Sequence, residues 1–280
     1  MAGDRSARGA DTRARHWGRH DDARTAVVRE VLEAVVSGLT AETGRPRLDI
    51  VDAGGGTGGF AVPLAGLGHH VTVVDPSPDS LAAAQRRAAE MSVPLRAVQG
   101  DAADLAGLAG EQGADLVLCH SVLEYVDSPA AAMAAIARVL RPGGAVSVLA
   151  ASAVAAVIHR ALAGRFDEAR RLLTGISTGV ADAVDGPGPE QAPGRQRPGP
   201  GAAADPSRRF TLAGVVGLIE DAGLRPGTAH GVRVFADLVP GGFADADPGA
   251  AAALLALERA ASAHPAFHDV ATQFHVLGYR

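Results

Sequence analysis

The 280-residue chain contains no lysine, no asparagine and a single cysteine. Without lysine there is neither a Schiff-base nucleophile nor a Walker-type phosphate loop. One cysteine, Cys119, excludes an internal disulfide and a cysteine-based zinc site. Because it lies in an apolar run, it reads as a small buried hydrophobe rather than a reactive thiol. Aromatic residues make up only 4% of a chain that is 47% hydrophobic, so the core must be Ala, Val and Leu packed between helices and a sheet. The net charge of −5 gives no overall pull toward nucleic acid. The first twenty residues are rich in Arg and Asp and carry no apolar stretch, which argues against a secretory signal. The longest apolar run, Ala145 to Ile158, falls short of the about 20 residues that a bilayer span requires. Together these features predict a soluble cytoplasmic protein with no membrane contact and no metal.

What is present is concentrated between Leu48 and Asp75. The segment reads LDIVDAGGGTGGFAVPLAGLGHHVTVVD: an apolar run, a glycine cluster, spaced apolar positions and a second β-branched run that ends in an acid. This is strand, glycine turn, helix, strand, the first unit of a doubly wound α/β sheet. The glycines permit positive φ and close approach of a ligand, and the following helix offers free N–H groups. Asp75, closing the second strand, is placed to accept hydrogen bonds from two ribose hydroxyls, so a nucleoside-containing cofactor is predicted. Read as G-x-G-x-x-G, Gly54, Gly56 and Gly59 suit a nicotinamide dinucleotide. Read as D-x-G-x-G-x-G, Asp52, Gly54, Gly56 and Gly58 equally match the first motif of the S-adenosylmethionine-dependent methyltransferases. Asp52 itself has two readings, a cofactor contact or a tie that holds the glycine loop together.

Along the chain, residues 1–20 read as a flexible arginine-rich tail, and residues 21–280 as one domain. Val27, Val28, Val31, Leu32, Val35, Val36 and Leu39 share one face of an amphipathic helix. Ser77-Pro78-Asp79 and Asp127-Ser128-Pro129 are helix starts, and further strands are predicted at Leu95–Val98, Asp115–Cys119 and Ala145–Leu149. Beyond them the reading is a helical segment over about 154–175, on the substrate side, and a disordered Gly/Pro insertion over about 179–209. Thr211 is an N-cap, Val232–Val239 and Gln273–Tyr279 are the last two strands, and a helix from about Pro248 buries Leu254, Leu255 and Leu257. The alternation predicts a mostly parallel sheet with helices on both faces.

Three downstream features favour methyl transfer over hydride transfer: the turn Leu140-Arg141-Pro142-Gly143-Gly144, the loop Gly100-Asp101-Ala102, and His120-Ser121-Val122-Leu123-Glu124 closing the fourth strand. In this order they resemble the Rossmann-like, class I methyltransferases, which implies seven strands with the last one antiparallel. VDAGGGTGG (Val51–Gly59), HSVLEYVDSP (His120–Pro129), VLRPGG (Val139–Gly144), ALAGRFD (Ala161–Asp167) and GVRVF (Gly231–Phe235) resemble most the bacterial tRNA 5-carboxymethoxyuridine methyltransferase family. The resemblance implies S-adenosyl-L-methionine as cofactor, with contacts at Arg24, Gly54, Gly55, Asp75, Ala102 and His120. Position adds Asp52, Gly56, Gly58 and Asp101. It also implies methylation of a carboxylate on a modified wobble uridine, with the tRNA anticodon stem-loop as partner; the alternative is a small-metabolite acceptor. A carboxylate is already a nucleophile at neutral pH, so no general base is required and no catalytic side chain is predicted. Such a pocket must instead hold an anion. Arg233 and the His159-Arg160 pair are the candidates, and Tyr125 is a candidate to stack on a base.

Overall fold

In the computed structural model, residues 25–176, 184–185, 208–239 and 248–280 are described. The expected tail, Arg24 and most of the expected insertion lie outside them. Seven strands form one sheet: β1 (Asp49–Ala53), β2 (His70–Asp75), β3 (Arg96–Gln99), β4 (Ala114–His120), β5 (Leu140–Ala151), β6 (Arg225–Val232) and β7 (Gln273–Tyr279). Their spatial order is β3-β2-β1-β4-β5-β7-β6. Strands β1 to β5 are parallel, and β7 runs antiparallel to both β5 and β6. This is the Rossmann-like arrangement expected from the motif order. The order reverses between β1 and β4, and such a switch point opens a crevice at the carboxyl ends of the strands.

The helices are α1 (Ala26–Thr43), α2 (Ala61–Gly66), α3 (Pro78–Glu90), α4 (Leu105–Ala109), α5 (Pro129–Val139), α6 (Ala153–Leu162), α7 (Phe166–Gly175), α8 (Leu212–Asp221) and α9 (Pro248–Ser262). Ser77, Ser128, Ser152 and Thr211 each cap a helix by accepting from the amide three residues on. One face of the sheet buries Val51, Val117, Leu123, Met133, Ile136 and Val148 against α5 and α8. The other buries Leu32, Leu39, Ile50, Leu116, Leu118 and Leu149 beneath α1 and α2. At about 1.5–3 kcal/mol for each fully buried large aliphatic side chain, these two layers hold the sheet rigid beneath the crevice.

The amino ends of the strands are pinned by charge. Arg45 and Arg141 both bridge Asp49 on β1 and Asp115 on β4, at 2.7–2.9 Å. Arg141 lies in a four-residue excursion: Ala114 pairs with Leu140, but Leu116 pairs with Ala145. Gly143, at φ +80, lets residues 141–144 fold out before the ladder resumes. The expected sharp turn is therefore inside the strand, not ahead of it.

Three expectations are corrected. The strand expected at Val232–Val239 lies instead at Arg225–Val232, because Arg233 adopts a left-handed φ of 60° and the amides after it turn away from the sheet. Pro226 and Gly227 disguise the true strand; they are tolerated because β6 is an edge, and its register slips between Pro226 and Ala229. The helical stretch from Val154 is two helices, broken at Gly164 with φ +73. In α9, Leu257 is exposed, and the buried positions include Glu258, Ala261 and Ser262. Within the expected insertion, Val184–Asp185 and Arg208–Arg209 form a two-residue antiparallel ladder.

Candidate functional site

The carboxyl end of β1 runs into the glycine turn. Gly54 takes φ +68 and donates its N–H to the carbonyl of Val74 at 2.7 Å, which docks the turn onto β2. Gly56, at φ +53, donates to Asp75 Oδ2 at 2.9 Å. A Cβ on Gly55 would lie 2.6 Å from the Asp52 carboxyl, so the chain can pass over Asp52 only as glycine. Gly58, at φ +76, closes the turn against Val62 and Ala84. Asp75 Oδ1 also accepts the Ser77 amide at 2.9 Å. Each Asp75 oxygen thus holds one backbone N–H and keeps a second acceptor direction. The tie that fixes the glycine loop is Asp75. Asp52 is buried beneath the loop, and its burial, with Asp75 nearby, pushes its pKa up to about 7.

A cavity of about 280 Å³ opens beside this turn. Its walls are Gly54, Asp75, Pro76, Asp101, Ala102, Ser121, Val122, Tyr125 and Val126. The carboxyl ends of β1, β2, β3 and β4 all contribute, as the switch point requires. Asp101 accepts the Ala103 amide at 2.9 Å, which starts a short 3-10 turn and fixes the loop on the wall. Ser121, at φ +54, donates its amide to Leu149 and receives Gln273 Nε2 on its hydroxyl at 3.1 Å. Tyr125 is 58% exposed at the rim. Of these, Gly54, Asp75, Asp101, Ala102 and Tyr125 were expected as site residues, and Ser121 and Val122 belong to the His120–Glu124 stretch expected at the pocket; Pro76 and Val126 were not singled out. Val122 sits where a Cβ on Gly54 would strike its Cγ2 at 2.4 Å. Gly54→Ala is accordingly expected to strain the turn and push Val122 into the cavity, weakening adenosyl-ligand binding about tenfold or more by calorimetry. Unchanged affinity would place the ligand elsewhere.

His120 does not line this cavity. Its ring sits edge-on to Phe60 at 4.8 Å, and its Nε2 lies 2.7 Å from Ser147 Oγ. Ser147 Oγ is in turn 2.6 Å from His275 Nε2, and His230 stands next, with ring centroids 5.7 Å apart. A polar row thus crosses β4, β5, β7 and β6 on the α1 face of the sheet. One hydroxyl proton serves two ring nitrogens, so one imidazole donates to Ser147 while the other accepts from it. Burial pushes His120 down to about 3, and His275 well below its usual value, so both rings are neutral. Ser147, His230 and His275 carried no motif and were missed in sequence; their signal was a polar position recurring on an apolar strand face. Cys119 is fully buried and its pKa is raised by that burial, as its apolar setting suggested.

The remaining expected residues are dispersed. Arg24 lies outside the described residues. His159 Nε2 is 3.2 Å from Thr272 Oγ1. Arg160 pairs with Glu168 at 3.0 Å and Arg233 with Asp237 at 2.5 Å, so neither presents an unengaged guanidinium. GVRVF owes its spacing to packing. Gly231 abuts Ala271 and Val234, and the amides of Val234, Phe235 and Ala236 converge on the buried Glu258 carboxylate at 2.6–2.9 Å.

Comparison with known proteins adds to this geometry. Residues 51–148 match the methyltransferase-domain family. The chain is 34% identical over 146 residues to the tRNA 5-carboxymethoxyuridine methyltransferase of Escherichia coli K12, covering 51% of this chain and 54% of that protein. It is 37% identical over 99 residues to a ubiquinone biosynthesis O-methyltransferase of Aeromonas salmonicida, covering 35% of this chain and 41% of that protein. The chain thus spans about half the length, or less, of these curated relatives. Among solved structures, magnesium protoporphyrin IX methyltransferase from Synechocystis with bound SAH covers 98% of this chain and 95% of its own at 16% identity, with a TM-score of 0.55. At that identity the likeness is one of fold.

Proposed function

We infer that this chain, in which residues 51–148 form a methyltransferase domain, binds S-adenosyl-L-methionine in the cavity beside the glycine turn and methylates an oxygen of its acceptor. The observation that carries the reading is Asp75. Its two carboxylate oxygens are preset by Gly56 and Ser77, and their remaining acceptor directions suit a pair of ribose hydroxyls at the edge of the cavity. Asp101 and Ala102 border the adenine end, and Gly54 and Gly55 allow the methionine part to approach the backbone. When bound, the cofactor supplies an electrophilic methyl group.

The acceptor we propose is the carboxylate of a wobble 5-carboxymethoxyuridine; the Escherichia coli relative is named for 5-carboxymethoxyuridine in tRNA, and the carboxylate and wobble position are our reading. The neutral histidine row is compatible with this choice. Neither His120 nor His275 stands as an imidazolium acid, and a carboxylate needs no base to become a nucleophile. Orienting the acceptor and excluding water then account for the acceleration. Tyr125, exposed at the rim, is suited to stack on the base.

The test is transfer of label from S-adenosylmethionine into bulk tRNA carrying wobble carboxymethoxyuridine, followed by mild alkali. Label in tRNA that alkali releases is the expected result, because a methyl ester hydrolyses. Alkali-stable label would keep the RNA and change the acceptor atom. Cofactor binding without label in tRNA would overturn the RNA reading in favour of a small metabolite such as a phenol.

A further inference from the structure

If the acceptor is a carboxylate, as proposed above, the site needs a cation, and the two expected arginines, Arg160 and Arg233, are spent on Glu168 and Asp237. The segment before α8 supplies others. Phe210 is buried and bonded on both sides, donating its amide to Ala151 and accepting that of Ala153 at 2.9 and 2.8 Å. A parallel bridge between Ser152 and Phe210 completes the join. Arg208 and Arg209 are thereby held at the carboxyl end of β5, on the same side of the sheet as the glycine turn. Arg208 Nη1 donates to the carbonyl of Val126, a residue of the cavity wall. The charge of Arg209 is felt by Glu124, which immediately precedes Tyr125 on that wall.

Glu124 and Arg209 are both incompletely matched. Glu124 is 7% exposed; its Oε1 accepts the Ala151 amide at 2.6 Å, while its buried Oε2 has no hydrogen-bond partner. Arg209 is half-buried, and its guanidinium has no hydrogen-bond or ion-pair partner among the described residues. A half-buried guanidinium with no hydrogen-bonded protein partner, next in sequence to an arginine that reaches the cavity wall, is available to an anionic ligand. Its fork of N–H groups fits one carboxylate in a two-bonded geometry. Burial raises the pKa of Glu124, while the Ala151 amide and the charge of Arg209 favour its carboxylate.

We propose that Arg209 is the anion-recognising residue of the acceptor site, engaging the acceptor carboxylate beside Glu124 and Tyr125. Chain position alone does not single it out, since it lies outside the methyltransferase motifs and at the end of a Gly/Pro-rich stretch.

The experiment titrates full-length protein, saturated with S-adenosylhomocysteine, with the nucleosides 5-carboxymethoxyuridine and uridine, in wild type, Arg209→Gln and Arg209→Lys. Wild type should prefer the carboxymethoxy nucleoside by about tenfold or more, as a charge-assisted pair implies. Arg209→Gln should lose that preference, and Arg209→Lys should keep part of it, with S-adenosylhomocysteine affinity the same in all three. Full preference retained in Arg209→Gln would overturn the inference and leave the carboxylate reading standing. No preference in wild type would overturn both. Weakened S-adenosylhomocysteine binding in both variants would show that Arg209 serves the cofactor instead.

Discussion

Glu258→Ala is expected to lose roughly 3–5 kcal/mol of folding stability, the largest effect of any single substitution considered. Glu258 is fully buried on α9, and its two oxygens accept three consecutive amides, those of Val234, Phe235 and Ala236. The left-handed turn at Arg233 makes those amides converge, which is the geometry of an anion nest, here filled by the protein's own carboxylate. Removing it leaves three donors unpaired, that of Val234 fully buried and those of Phe235 and Ala236 partly so, and opens a void under the small cluster of Val234, Ala261 and Ala271. The measurement is urea unfolding with the denaturant slope compared between variants. Glu258→Gln, which retains one acceptor oxygen, should fall between the two. A loss below about 1 kcal/mol for alanine would mean that water replaces the carboxylate, and the loop would not depend on it.

The same residue shows what was legible in the sequence and what was not. The glycine turn, the acid that closes β2 and the Asp101–Ala102 loop could be read because each is local: a few adjacent residues fix a turn. Strand β6 could not. RPGTAHGV carries proline and two glycines, whereas VRVFADLV carries the β-branched and aromatic residues of a strand. What ends the strand at Val232 is a carboxylate 24 residues away from Val234, and no window of local propensity contains it. The pairing of Arg233 was hidden for the same reason: Asp237 is near in sequence, but only the turn brings it within 2.5 Å. Leu257 obeyed hydrophobicity in expectation, yet the buried face of α9 is set by where Glu258 must point.

The histidine row should make the protein labile to mild acid, in a way that one substitution exposes. His120 is held neutral in the folded state, with its pKa pushed down to about 3 by burial, against an ordinary value near 6.5 in the unfolded chain. Its folded pKa is depressed, and the proton-bound form is the charged one, so the unfolded state binds more protons below pH 6.5. Stability is therefore intact above about 6.5 and falls as the pH drops toward 3. By pH 5 the loss is roughly 2 kcal/mol from this histidine alone. His275, shifted in the same direction by burial, adds to it. Asp52 acts oppositely: its pKa is raised to about 7, so its folded form gains protons first and recovers stability as pH falls. The total pH profile mixes these signs, and only a difference isolates His120. His120→Gln should be less stable than wild type at pH 7.5, and the gap should close by roughly 2 kcal/mol at pH 5, because glutamine takes up no proton in the unfolded chain. A gap that stays constant would mean that His120 titrates in the fold, which requires solvent to reach its ring. In that case the neutral chain through Ser147 would fail, and an imidazolium would stand beside Phe60.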